Sequence, residues 1–180
     1  TVMWTTHVAA HPPLTTWAFW GLAHVGLGGG FWAGALCIVV GSAASIAVPV
    51  TVRELGADAA ARRAVPFAAL FPGAVWMAVS ADGLFAGVAT SGLALLIMGA
   101  GRRRLLIAAV GGLLLGIALF LSYVHLLFGL VVLAACAVIA YQRGWRQTLA
   151  AVLVGAGAVI MVAAAHLALG FNWLTGLHDL

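Results

Sequence analysis

Three short clusters of arginine separate long apolar runs in this chain of 180 residues, and that spacing leaves few architectures open to it. All eight basic side chains are arginines, at Arg53, Arg62, Arg63, Arg102, Arg103, Arg104, Arg143 and Arg146. When the apolar runs are threaded through a bilayer as helices, every cluster falls on the same side. Because basic loops stay in the cytoplasm, the pattern predicts a multi-pass protein of the cell membrane with cytoplasmic arginine loops.

Composition favours a membrane protein before any helix is assigned. Hydrophobic residues make up 65% of the chain and charged residues only 7%, unlike any ordinary soluble domain. The length suits about six spans of roughly 20 residues, so we expect one all-α transmembrane bundle. The formal net charge of +4 comes from these loop arginines, which explains it as a topology signal and gives no support to nucleic-acid binding.

Residues 1–180 are therefore predicted to form one transmembrane domain, with an interfacial segment at 1–30 and a six-helix bundle at 31–180. The expected spans are 31–52, 64–80, 83–101, 105–121, 125–141 and 147–171. Residues 1–30 contain no arginine but three histidines and three tryptophans, which is typical of a headgroup-layer segment. A helix opened by Pro12 and Pro13 is expected to lie on the outer face, because a crossing there would put every arginine outside.

The outer face of this bundle collects the side chains that can carry chemistry. They are His7, His11, Asp82, Tyr123, His125, Asn172, His178 and Asp179. Asp82 is the single charge between residues 65 and 101, and an ionisable group at such depth usually faces a wet cavity or the protein interior. The alternative is a helix N-cap in front of Gly83, and one residue can fill both roles.

Histidine spacing leaves a metal site as an alternative that we do not adopt. His7 and His11 are four residues apart, which could place two imidazoles on one helix face. Pro12 argues against a helix at that point, because a residue before proline avoids helical angles. A divalent cation therefore stays an alternative, and no cofactor is assigned. Tyr123 and His125 either contact the phosphate or hydroxyl groups of a ligand or are ordinary interfacial side chains.

Three stretches resemble the polyprenyl-phosphate-sugar-dependent glycosyltransferases of the GT-C class, which include protein mannosyltransferases and aminoarabinose transferases. HPPL at 11–14 is similar to the element that follows the family's first outer loop. LFPGAVWMAVSADGLFAGV at 70–88 resembles the family's hairpin of short helices with a proline before its outer turn. GGLLLGIALFLSYVHLLFGLVVL at 111–133 resembles the glycine-rich helix, polar tip and apolar helix that follow.

This resemblance implies an enzyme that transfers a sugar from a polyprenyl phosphate at the outer leaflet. It places His11 near the lipid phosphate and Tyr123 where many members carry lysine or another polar residue. With His125 at the same outer tip, these are the predicted substrate-binding residues. The family's catalytic acid precedes the HPPL-like element, whereas the ten residues before His11 include no acid. Either the chain belongs to a longer protein or the base has moved, in which case Asp82 is the catalytic candidate.

Two other classes stay open at this point. A non-catalytic membrane subunit or scaffold needs only short helices, glycine packing and few charges. A transporter fragment fits less well, because transporters usually carry polar groups near the middle of the membrane, and here they cluster at one end. The predicted partners are membrane lipid, a polyprenyl-phosphate sugar, and other subunits or the remainder of a longer chain.

Overall fold

The computed structural model describes residues 12–174, and this part of the chain is helical without a strand. The all-α prediction is confirmed over that range. His7, His11, His178 and Asp179 lie outside the described residues, so the predictions made for them are not addressed by the structure.

Eight α-helices follow one another along the described part of the chain. They are α1 Leu14–His24, α2 Gly30–Ser42, α3 Ala44–Glu54, α4 Asp58–Ala69, α5 Asp82–Gly101, α6 Leu105–Leu121, α7 His125–Arg143 and α8 Trp145–Ala168. Four stretches are long and apolar enough to cross a membrane: Gly30–Glu54, Asp82–Gly101, His125–Arg143 and Trp145–Ala168. Helix α6 is also apolar but shorter, at 17 residues.

The helix expected at 64–80 is not continuous. Helix α4 starts earlier, at Asp58, and ends at Ala69, and a short 3-10 helix occupies Pro72–Trp76. Phe71, just before Pro72, is extended with ψ 123°, as expected because a residue preceding proline is pushed out of the helical region. The apolar character of this segment was predicted, and Pro72, a residue type expected to mark a kink or a helix start, begins the 3-10 helix.

Helices α2 and α3 run in the same direction as α5. A Cβ at Gly41 would lie 2.9 Å from the carbonyl oxygen of Gly83, near the start of α5. Glu54, at the end of α3, accepts a hydrogen bond from Nε of Arg102, just beyond the end of α5, at 3.1 Å. Residues 55–81 therefore carry the chain back along the bundle, although no single helix spans them.

Helix α5 forms the centre of the bundle and contacts α2, α3, α6, α7 and α8. Ile97 on this helix is completely buried. Helix α6 packs so closely on α8 that a Cβ at Gly112 would collide with the backbone of Gly155. Small residues at such crossings let helix backbones approach, which stabilises packing where hydrophobic burial cannot.

One end of the bundle, called the basic end, brings together the ends of α3, α5 and α7 and the starts of α4, α6 and α8. Arg102 also donates a second bond to Glu54, and Arg103 donates to the side-chain oxygen of Gln147 at 2.8 Å. The amide of Gln147 donates to the last carbonyls of α5, and Gln142 donates to the carbonyl of the residue after α3 at 2.7 Å. Side-chain hydrogen bonds thus connect the ends of neighbouring helices here.

Candidate functional site

The opposite end of the bundle, called the arginine-free end, contains a cleft with an acid and an imidazole in its wall. The cleft has a volume of about 450 Å³ and lies between α5 and the turn from α6 to α7. Its polar residues are Asp82, Thr90, Ser122 and His125, and Phe85 and Phe128 are among its apolar ones. Two of the predicted site residues, Asp82 and His125, are therefore brought together.

Asp82 is the first residue of α5 and its side chain is exposed. Its carboxylate accepts a hydrogen bond from the Ser80 hydroxyl at 2.6 Å, and the Ser80 oxygen accepts one from the Asp82 backbone at 3.2 Å. The N-cap position belongs to Ala81, so the capping alternative is wrong in its simple form. A negative charge in the first turn is nevertheless stabilised by the helix dipole.

His125 begins α7 and is half-buried. Its Nδ1 lies 3.1 Å from the carbonyl oxygen of Ser122. Because a carbonyl only accepts, Nδ1 donates and the neutral ring keeps its lone pair on Nε2. The ring meets Phe85 and Phe128 edge to face, each with centroids 6.3 Å apart, and these contacts hold the imidazole at the cleft wall.

Tyr123 does not line this cleft with Asp82 and His125. Its side chain is 9% exposed, and its ring packs against Trp173 with centroids 5.1 Å apart. Trp173 in turn donates to the carbonyl of Leu119 at 3.0 Å. Tyr123 is therefore a packing residue, whereas His125, two residues later, lies in the cleft wall. The third predicted substrate contact, His11, is outside the described residues.

A second, apolar cleft adjoins the first along α7. It has a volume of about 580 Å³ and lies between α6, α7 and α8. His125, Leu127 and Phe128 line both clefts. A Cβ at Gly129, also in the wall, would meet nothing within 4 Å. The imidazole of His125 therefore stands where a cleft with polar groups meets a hydrocarbon-lined one.

Sequence reasoning missed the apolar cleft altogether. The signal that could have pointed to it is Gly129, which lies between Phe128 and Leu130 near the start of a candidate membrane span and leaves a gap beside them. Glycine inside a helix without a close neighbour has no packing reason to be there, since it costs helix stability relative to alanine. A gap that serves a ligand is one reason for such a residue.

His166 is buried in the last turn of α8 and is a hydrogen-bonded packing residue. Its Nδ1 is 2.9 Å from the carbonyl oxygen of Val162. The ring is stacked on Phe120 at 3.8 Å and on Trp17 at 5.5 Å. Its Nε2 is buried without a hydrogen-bond partner among residues 12–174. The stack helps fix α1 to the bundle, together with a bond from Thr15 to the last carbonyl of α6 at 3.0 Å.

A metal centre has no support in the described part of the chain. Over residues 12–174, no group of three histidine, cysteine, aspartate or glutamate side chains is placed so that it could hold a metal ion. Asp82 and His125 share a cleft, but no third ligand of these types joins them there.

Comparison of the chain with protein-family models, with curated proteins and with solved structures finds no match. The resemblance to GT-C glycosyltransferases therefore depends on the three short stretches described above. What the structure establishes independently is a helical bundle with four candidate membrane spans.

Proposed function

We propose that this chain is a membrane glycosyltransferase, or part of one, that transfers a sugar from a polyprenyl-phosphate donor. The observation that carries the proposal is the pairing of clefts at the arginine-free end. One cleft has Asp82 and His125 in its wall, and the other is apolar and begins at the same His125. A lipid-linked sugar has matching parts, with a polar head joined to a long hydrocarbon chain.

The chemistry of sugar transfer matches these side chains. The acceptor hydroxyl attacks the anomeric carbon, the bond from that carbon to the phosphate oxygen breaks, and the hydroxyl proton passes to a base. Asp82, an exposed carboxylate at the cleft, serves as that base. By the family resemblance, His11 contacts the departing phosphate, whose charge needs hydrogen-bond donors. The Nε2 lone pair of His125 instead accepts a hydrogen bond from a hydroxyl group of the ligand. Tyr123 contributes through its packing against Trp173 rather than through the cleft.

The hydrocarbon chain has room beside α7. The apolar cleft is lined along this helix from His125 to Leu133, a rise of about 12 Å at about 1.5 Å for each residue. Helix α7 is also the least enclosed of the four candidate spans, so a lipid can reach the cleft sideways from the bilayer.

The proposal includes a topology of six crossings with the basic end in the cytoplasm. Residues 55–81 provide the return between two parallel stretches, and arginine loops favour the cytoplasmic side. Asp82 and His125 then face the outer leaflet, with α1 in its headgroup layer. Trp20 on α1 is 65% exposed, which suits an interfacial helix because tryptophan prefers that layer.

Transfer from a panel of polyprenyl-phosphate sugars in nanodiscs tests this function. Asp82→Asn removes the charge but keeps an acceptor for Ser80, and should lower transfer tenfold or more, about 1.4 kcal/mol. Asp58→Asn is the matched control, since Asp58 is an exposed aspartate in the first turn of α4 at the basic end. It should leave transfer unchanged. Equal activity of both variants and wild type would remove Asp82 from the mechanism.

A non-catalytic membrane subunit is the second candidate, and the Asp82 hydrogen bond favours it. Ser80 satisfies the carboxylate locally, which a purely structural aspartate would also require. Under this function, Asp82→Ala, which removes the acceptor for Ser80, lowers thermal stability, and no polyprenyl-phosphate sugar binds to the wild type. Retained stability together with lost donor transfer supports the enzyme instead.

A further inference from the structure

The basic end carries more positive charge than its own acids neutralise. Glu54 and Asp58 are the described acids there, and each is already engaged. Glu54 binds Arg102, and the Asp58 carboxylate lies 3.4 Å from Nε of Arg53. Among residues 12–174 the remaining arginines have no ion-pair partner, so this end presents a net positive surface.

Arg62 and Arg63 are the most accessible part of that surface. Both are exposed on α4, where Ala61 is the buried residue. Within the described residues neither forms a hydrogen bond or an ion pair. They border a shallow hollow of about 810 Å³ that also includes Phe67 and Asp58, whose charge is paired with Arg53. Two guanidinium groups that border the same hollow are thus available to an anion from outside the chain.

Large apolar side chains follow the two arginines on the same segment. Phe67 is 78% exposed and Leu70 is 80% exposed. Arg63 and Phe67 are four residues apart, so they share a helix face with about 6 Å of rise between them. From the basic end inward, the surface therefore presents cationic groups first and hydrocarbon next. A phospholipid has the complementary order, with its phosphate followed by its acyl chains.

We infer that α4 binds an acidic glycerophospholipid of the bilayer, with the phosphate at Arg62 and Arg63 and an acyl chain against Phe67. The side-chain type supports this ligand, because all cations of the chain are arginines and the guanidinium fork binds phosphate oxygens in pairs. The site lies at the opposite end from Asp82 and does not depend on glycosyltransferase activity.

The test is native mass spectrometry of the full chain in detergent, titrated separately with phosphatidylglycerol, phosphatidylcholine and inorganic phosphate. Wild type should prefer phosphatidylglycerol. The double variant Arg62→Gln with Arg63→Gln should lower the affinity for phosphatidylglycerol tenfold or more. The control variant, Arg143→Gln with Arg146→Gln, removes the same charge from another loop of the basic end. It should lower the affinity for phosphatidylglycerol only about twofold or less, because charges that do not contact the site act on it weakly.

Two further variants separate the parts of the site. Arg62→Lys with Arg63→Lys keeps the charge but loses the paired geometry, so an intermediate loss is expected. Phe67→Ser should lower the affinity for phosphatidylglycerol without changing the affinity for inorganic phosphate. Equal loss in both glutamine pairs would show a diffuse charge effect and overturn the inference. Equal binding of phosphatidylcholine, or inorganic phosphate binding as tightly as the lipid, would overturn it as well.

Discussion

The two ends of the bundle satisfy their ionisable side chains in different ways. At the basic end the partners come from other helices, as when Arg102 binds Glu54 and Arg103 binds Gln147. In the cleft at the arginine-free end the hydrogen bonds of Asp82 and His125 are short in sequence, although the His125 ring also interacts with the backbone of Phe85 on α5. Asp82 bonds a residue two positions away and His125 one three positions away. Bonds within a turn join fewer neighbouring helices, so this end can keep a cleft between helices, whereas side-chain bonds tie helix ends together at the basic end.

The difference between the ends requires a rigid middle that both share. Gly112→Ala places a methyl group against the backbone of Gly155, and overpacking of this kind costs about 1–3 kcal/mol. We expect a clear fall in the thermal unfolding temperature in detergent, the largest effect among the variants considered for this comparison. Gly157→Ala is the control, because a Cβ there meets nothing within 4 Å. Equal stability of the two variants would show that α6 and α8 are not in backbone contact.

At the arginine-free end, donor binding should respond to a side chain that fills the apolar cleft. Gly129→Leu puts a side chain into the apolar cleft without a collision, because a Cβ at Gly129 has open space. Donor-lipid affinity should fall about tenfold, equivalent to about 1.4 kcal/mol, with little change in thermal unfolding. Gly157→Leu adds the same group on α8, away from the lining of the cleft. A similar loss of affinity in both variants would mean that the apolar cleft is not where the lipid binds.

The basic end should respond in stability and not in donor binding. Glu54 is 11% exposed in its side chain and Arg102 is 52% exposed, so Glu54→Gln should cost about 1 kcal/mol after allowance for solvent screening. Donor binding should not change. Asp58→Asn disrupts the exposed pair with Arg53, which should contribute less than Glu54 does. Chemical or thermal unfolding of both variants checks the order, and a larger loss from Asp58→Asn would contradict it.

The helices of this fold were largely predictable because strong signals bound them. Helix α6 begins and ends where expected, at Leu105 and Leu121, between an arginine cluster and a polar turn. The span expected at 64–80 is instead interrupted between α4 and the 3-10 helix at Pro72–Trp76. Hydropathy continues through Pro72 and does not mark the interruption. Local proline geometry overrides hydropathy there.

The site was predictable in its residue types but not in its arrangement. Asp82 and His125 line the same cleft because α5 packs near α7. No local sequence pattern encodes that tertiary contact. Tyr123 and His125 are nearly adjacent in sequence, yet the turn before α7 directs one toward Trp173 and the other into the cleft wall. The exposure of Asp82 also differs from the recessed position expected, because α5 begins at Asp82 itself.

Photo-crosslinking from the shared wall of the two clefts measures the proposed site most directly. A photoreactive phenylalanine analogue at Leu127, which lines both clefts, should crosslink to a polyprenyl-phosphate sugar in nanodiscs, and excess unlabelled donor should compete. The same analogue at Leu153 is the control, since Leu153 is 62% exposed on α8 and contacts general bilayer lipid. Competable crosslinking at Leu127 alone is the expected result. Equal or uncompeted crosslinking at both positions would show that the arginine-free end does not bind the donor.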